Sequence, residues 1–143
     1  MNPELLHQYR DLLIEITKTA DHLTETEQAL ATAASQKDIE KLRQVMQSAE
    51  PTLLKFRGLE LLHNTLSEKL GFRSKTISTL LAEDNPEISV SLSPCLLQLR
   101  TALNQLQDAQ SSATRILRTR IMDTEFILNS HPEAAAVSHD IRA

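Results

Sequence analysis

Hydrophobic residues recur at helical spacing along most of the chain. In the first stretch, residues 3–34, they lie three, four or seven residues apart at Leu5, Tyr9, Leu12, Ile16, Leu23 and Leu30. This spacing predicts a long amphipathic helix. Leu6 and Leu13 lie beside the stripe and widen it, which favours packing in a bundle over a two-stranded coiled coil. Asn2 and Pro3 are typical of an N-cap and a first helical position.

A second stretch, residues 39–70, repeats the pattern after a short break in which Ser35 and Asp38 resemble a capping box. Its apolar positions are Ile39, Leu42, Met46, Ala49, Leu53, Phe56, Leu59, Leu62, Leu66 and Leu70. Pro51 falls inside this stretch and predicts a kink or a one-turn break. At its end, Gly71 predicts a left-handed helix stop, with Phe72 folding back over Leu66.

Two more helices are predicted after Gly71. Ser74 is the expected cap of a short helix that ends before residue 84, and residues 84–93 are expected to form a loop. Ser93 and Pro94 then predict the start of a long last helix, whose apolar spacing thins over residues 107–114 and resumes at Ile116. His131 and Pro132 are expected to end it.

These patterns predict an all-α fold, since two glycines in 143 residues cannot supply the tight turns of a β-rich fold. The expected architecture is an elongated antiparallel helical bundle, built on a long hairpin plus a short helix and a long C-terminal helix. The first helix alone would be about 48 Å long at 1.5 Å per residue. Residues 1–130 are predicted to form one domain, and residues 131–143 a flexible tail.

Charge and cysteine content narrow the possible functions. The net charge of −4 argues against nucleic-acid binding, which depends on accumulated Lys and Arg. No apolar run approaches the roughly 20 residues that a membrane-spanning helix needs, so no membrane insertion is expected. Cys95 is the one cysteine, which favours a reducing compartment and therefore a cytoplasmic location.

The most enzyme-like signal is a repeated Glu-Leu-Leu-His tetrapeptide, with Glu4 and His7 in one copy and Glu60 and His63 in the other. Glu-x-x-His on two helices belongs to the ligand set of di-iron carboxylate bundles. Glu4, His7 and Glu60 lie off the apolar stripes, however, and His63 lies at the edge of one, so both pairs are expected to face solvent. Cys95 has no neighbouring base or second cysteine. No catalytic residue, metal site or cofactor is predicted, and a di-iron enzyme is kept only as a remote alternative.

Part of the last helix is apolar on more than one face. The residues concerned are Ile116, Leu117, Ile121, Met122 and Phe126. They can complete the bundle core, or they can bind a partner helix, which is recognised through apolar anchors at positions i, i+3, i+4 and i+7. Both interpretations remain open from the sequence alone.

The arrangement of these segments resembles the FlgN family of flagellar export chaperones. The resemblance covers about residues 4–128 and depends on LLKFRGLELLHNTL, KLGF and TISTLLAE. Its sharper points are the pairs Leu53-Leu54, Leu59-Glu60 and Leu70-Gly71. The family often has a basic residue shortly after the Leu-Glu pair, where this chain has His63 or Asn64.

The resemblance implies a cytoplasmic chaperone without enzymatic activity. Its cargo would be the amphipathic terminal helices of hook-associated proteins at the hook–filament junction, which it would protect from premature assembly and present to the export apparatus. The family assigns cargo binding to the C-terminal helix, here the helix from Ile116 to Leu128. A structural or adaptor bundle acting through protein–protein association is the alternative, and homodimer formation is left open.

Overall fold

The structure, a computed structural model, describes residues 2–83 and 85–130, with the side chains as far as Met122. The described residues form four α-helices: α1 (Pro3–Ser35), α2 (Ile39–Leu70), α3 (Ile77–Leu81) and α4 (Pro86–Ser130). No strand occurs among them, and the predicted all-α bundle with a long hairpin and a long last helix is confirmed. None of these helices has the length and apolar character to span a membrane.

Helix α1 lies in the centre and packs against both α2 and α4. The Cα atoms of α2 and α4 stay more than 8 Å apart throughout the described residues. Helix α2 runs antiparallel to α1, so that Tyr9 meets His63. Helix α4 runs parallel to α1, and Arg120 reaches the carbonyl oxygens at the C-terminal end of α1. The molecule is therefore held together by contacts that α1 makes on two sides.

The predicted apolar stripe of α1 is buried at Tyr9, Leu12, Ile16 and Leu23 and half-buried at Leu5 and Leu30, and the residues beside it are buried as well. Leu6 and Leu13 are buried together with Tyr9, Leu12 and Ile16, and Leu13 has no exposed surface. Two packing partners require a wide apolar face, which explains why Leu6 and Leu13 are as buried as the stripe itself. Asn2 caps the helix, since its side-chain oxygen accepts hydrogen bonds from the backbone N–H groups of Glu4 and Leu5.

The turn between α1 and α2 differs in one detail from the expected capping box. Ser35 is the last residue of α1, and the N-cap of α2 is Asp38, whose side chain accepts a hydrogen bond from the backbone N–H of Lys41. Between them, Lys37 has a positive φ of 56°. The carboxylate of Asp38 satisfies an otherwise unpaired N–H group and interacts favourably with the helix dipole.

Helix α2 continues through Pro51, so of the two predicted outcomes the one-turn break does not occur and the kink stays a prediction. A proline cannot donate to the carbonyl four residues before it, here that of Gln47. Both Gln47 and Pro51 are exposed, and water can therefore hydrate the carbonyl. The stop at Gly71 is as predicted. Gly71 has φ 77°, its N–H donates to the carbonyl of Glu68, and the N–H of Phe72 donates to that of Ser67. This is a Schellman motif.

Several apolar positions of α2 that the sequence placed on its packing face are instead exposed. They are Ile39, Met46, Leu53 and Leu62. The physical reason is that α2 has backbone neighbours within 8 Å on α1 but not on α4, so only a narrow face is covered, through Ala49, Phe56, Leu59, Leu66 and Ser67. Leucines occur on several sides of α2, and the spacing could not identify which side meets α1.

Helices α3 and α4 begin at other residues than expected. Thr76, not Ser74, caps α3, and its side chain accepts a hydrogen bond from the N–H of Thr79. Helix α4 already begins at Pro86, where the Asn85 side chain accepts from the N–H of Glu87. The loop predicted over residues 84–93 is therefore wrong from residue 86 onwards.

The residue Pro94 lies inside α4, not at its start. It leaves the carbonyl of Val90 without a helical donor, but Val90 lies on the solvent side of the helix. On the opposite side, Ile88 and Leu92 are almost fully buried in the same cluster as Leu6. Burial of these two side chains stabilises the helix before Pro94 and offsets the lost hydrogen bond.

Candidate partner-binding surfaces

Helix α4 extends beyond the end of α1. The guanidinium of Arg120 donates from Nε to the carbonyl of Ala34 at 3.2 Å and from Nη2 to that of Ser35 at 3.0 Å. Because α1 ends at Ser35 and runs parallel to α4, the part of α4 after Arg120 projects past it. This projecting segment, residues 121–130, adds about 15 Å of helix at 1.5 Å per residue.

The five predicted partner-binding residues lie on both sides of Arg120, where α4 passes the end of α1. Ile116 and Leu117 are half-buried, and they lie where α4 still runs beside α1. Ile121 and Met122 are exposed, at 52% and 62% of their surface. The Phe126 side chain lies outside the described residues. The core-completing interpretation therefore suits Ile116 and Leu117, whereas the partner-binding interpretation suits Ile121 and Met122.

A second exposed apolar surface lies on α2, on the side away from α1. We call it the outward α2 face and define it by Met46, Glu50, Leu53, Leu54, Arg57 and Leu61. Its four apolar side chains are exposed over 50% to 69% of their surface. Isolated exposed hydrophobic residues are normal in a soluble protein, but a continuous group of them marks an interaction site.

A groove lies between α2 and α4, and α1 forms its floor. It has a volume of about 340 Å³ and is lined mainly by the apolar side chains of Ile16, Phe56, Ile77, Leu99 and Leu103. The groove exists because α2 and α4 both pack against α1 while their Cα atoms stay more than 8 Å apart. His63 and Glu60 contribute the charged and polar groups at its edge.

A cluster of polar side chains in the interior joins α1 to the end of α2. Oη of Tyr9 lies 2.9 Å from Nε2 of His63, and Oγ of the buried Ser67 lies 3.5 Å from the ring nitrogens of His63. The ring of Phe72 packs edge-on against that of Tyr9, with the centroids 5.5 Å apart. These groups satisfy one another and fix the register of α2 on α1.

Burial alters the titration of this cluster. It lowers the pKa of the His63 imidazole, because desolvation penalises the charged form. It raises the pKa of the Tyr9 hydroxyl for the same reason. Near neutral pH both side chains are therefore uncharged, and their hydrogen bond joins two neutral groups.

The two Glu-x-x-His pairs occupy different environments. Glu4, His7 and Glu60 are exposed as predicted, but His63 is half-buried and bonded to Tyr9, which corrects its expected position on the surface. The apolar spacing placed His63 at the edge of the packing face, and in the structure its ring lies against Tyr9 of α1. Among the residues that the structure describes, no three His, Cys, Asp or Glu side chains are grouped to hold a metal ion.

Cys95 is buried in the contact between α4 and α1, within the same cluster as Leu96 and Leu99. This position agrees with a small packing residue, as free cysteines often are.

Comparisons with models of protein families, with curated proteins and with solved structures return no match. The geometry therefore leaves the projecting segment, the outward α2 face and the groove as the surfaces on which a function can be argued.

Proposed function

We propose that this chain is a small cytoplasmic chaperone that resembles the FlgN family and binds the amphipathic terminal helices of hook-associated proteins before flagellar export. The observation that carries the proposal is the projecting segment of α4, on which Ile121 and Met122 are exposed beyond the end of α1. The leucine spacing of residues 53–72 supports the family resemblance.

An amphipathic cargo helix binds through apolar anchors on one side of a supporting helix. Ile121 and Met122 are adjacent in the sequence and both are exposed, so they offer a cargo helix two apolar contacts, and Phe126, four residues after Met122 in the sequence, stays a predicted third. The flexible thioether of Met122 suits a surface that must adapt to more than one cargo. Covering the cargo face in this way would prevent self-association of the cargo.

Release is as important as binding for a protein that delivers its cargo to an export apparatus. A terminal segment that is disordered when free loses conformational entropy on binding, which keeps the affinity moderate. A short binding surface at the end of one helix meets the same requirement, because it buries less area than a standard stable interface.

Co-expression with each hook-associated protein of the same genome tests the proposal. We expect a soluble complex with at least one of them, and we expect Ile121→Glu combined with Met122→Glu to abolish it. Val90→Glu is the matched control, since Val90 is an apolar residue exposed near the other end of α4. Circular dichroism would establish that all variants keep their helical content.

Two outcomes would overturn the proposal. One is the absence of a complex with every hook-associated protein tested. The other is a complex that the paired substitution and Val90→Glu weaken equally, which would move binding away from the projecting segment. Deletion of residues 121–143 gives a further readout, because it should abolish cargo binding while the contacts of α1 with α2 and α4 remain.

A further inference from the structure

The outward α2 face combines apolar and charged residues in a symmetric order. Going along the helix, its residues are Met46, Glu50, Leu53, Leu54, Arg57 and Leu61. The separations between them are four, three, one, three and four residues, and they are the same from either end. Residues three, four or seven apart lie on one side of a helix, so the group forms one continuous surface.

This surface lies away from the bundle. Ala49 and Phe56, which pack into the bundle, lie on a neighbouring side of α2, whereas all six residues of the outward α2 face are exposed. Neither Glu50 nor Arg57 takes part in an ion pair among the residues that the structure describes. An acid and a base, seven residues apart and both exposed, are thus set among four exposed apolar side chains.

We propose that the outward α2 face is a homodimer interface, on which a second copy of the chain packs antiparallel through its own α2. The two-fold axis passes between Leu53 and Leu54. In this register Met46 lies level with Leu61 of the second copy, and Glu50 lies level with its Arg57. Each dimer then contains two such ion pairs on either side of a leucine centre.

The symmetric order favours a second copy over another protein as the occupant. A two-fold interface uses the same surface on both subunits, so the surface must be complementary to itself. The outward α2 face meets this condition in the antiparallel orientation alone, because parallel packing would place Glu50 beside Glu50 and Arg57 beside Arg57. A cargo helix would impose no symmetry on the spacing.

The ion pairs would chiefly set orientation and register. Charged pairs within an interface contribute more to specificity than to affinity, and repulsion between like charges disfavours wrong arrangements. The apolar side chains supply the stabilisation, over a contact that extends for about 23 Å from Met46 to Leu61. The interface is separate from the projecting segment of α4, so it does not depend on the proposed cargo site.

Sedimentation equilibrium of the full chain tests the proposal through charge exchange. We expect the wild-type chain to be a dimer, and we expect Glu50→Arg and Arg57→Glu each to raise the dimer dissociation constant by about tenfold or more. The double variant, with both charges exchanged, restores opposite charges in the antiparallel register and should dimerise like the wild type. A mixture of the two single variants should form heterodimers.

Arg100→Glu is the matched control, because Arg100 is an exposed arginine on α4, away from this face. It should leave the dissociation constant unchanged, and circular dichroism would check that each variant is folded. A wild-type chain that stays monomeric would overturn the proposal. So would a dimer that the single substitutions leave intact, or one that the double exchange fails to restore. Cargo binding is measured separately, so either proposal can fail alone.

Discussion

Replacement of Arg120 by methionine tests how α4 is anchored at the end of α1. The guanidinium donates to the carbonyls of Ala34 and Ser35 in the last turn of α1, and the Ala34 carbonyl also accepts from the backbone N–H of Lys37. A hydrogen bond from a charged donor contributes about 1.5–3 kcal/mol in favourable cases. The positive charge at a helix C-terminus adds about 0.3–1 kcal/mol.

The site is partly exposed, so water replaces much of what is lost when the guanidinium is removed. We therefore expect Arg120→Met to lower the free energy of unfolding by about 1–2 kcal/mol, at the low end of those contributions. Methionine keeps an apolar stem of similar length, which isolates the polar contribution. With a urea m-value of about 2 kcal/mol/M, the midpoint should fall by roughly 0.5–1 M.

The neighbouring Arg118 provides the control. It is an exposed arginine two residues away on the same helix. Arg118→Met should change the free energy of unfolding by less than about 0.5 kcal/mol. Hydrogen exchange should also show faster opening of the α4 amides around Ala113 in Arg120→Met. Equal midpoints for the two variants would refute the capping role that we assign to Arg120.

Further predictions concern His63 and the two glycines, Gly58 and Gly71. Burial lowers the folded-state pKa of His63 below its unfolded value of about 6.5, so the unfolded chain binds the proton more tightly. The contribution of neutral His63 to the free energy of unfolding is complete above that value and is lost as the pH falls towards the folded-state pKa. Urea midpoints at pH about 7.5 and about 5.5 should therefore differ more in the wild type than in His63→Gln. Equal differences in the two proteins would contradict the assignment. Gly58→Ala should raise the thermal stability by about 0.5–1 kcal/mol, because nothing lies within 4 Å of the added Cβ in the middle of α2. Gly71→Ala should lower it by about 1–2 kcal/mol, because a left-handed φ of 77° strains any residue with a Cβ, and stabilisation by both substitutions would show that the stop is not left-handed.

The sequence predicted those features of the fold that depend on local chemistry. The stripe of α1, the cap at Asn2 and the glycine stop at Gly71 each follow from the preferences of a few neighbouring residues. The start of α4 was predicted eight residues too late, because Asn85-Pro86 and Ser93-Pro94 carry the same start signal. Burial of Ile88 on α1 decides between them, and that is a tertiary contact.

The candidate surfaces depend on packing, and packing is less visible in a sequence. Helix α2 has leucines on several sides, so spacing alone placed Met46 and Leu53 towards the core although they are exposed. His63 was assigned to the surface because no local signal marks its contact with Tyr9, a residue 54 positions away. The outward α2 face could be recognised only after the side of α2 that α1 covers was known.

The position of Tyr9 gives the molecule an internal spectroscopic reporter. The chain has no tryptophan and one tyrosine, and that tyrosine is buried between His63 and Phe72 where α1 meets the end of α2. Tyrosine emission and near-ultraviolet dichroism will therefore report on this junction. Association through the outward α2 face, or cargo binding beyond Arg120, takes place away from the fluorophore and should leave both signals unchanged. Unfolding and assembly can thus be followed separately in one unlabelled sample.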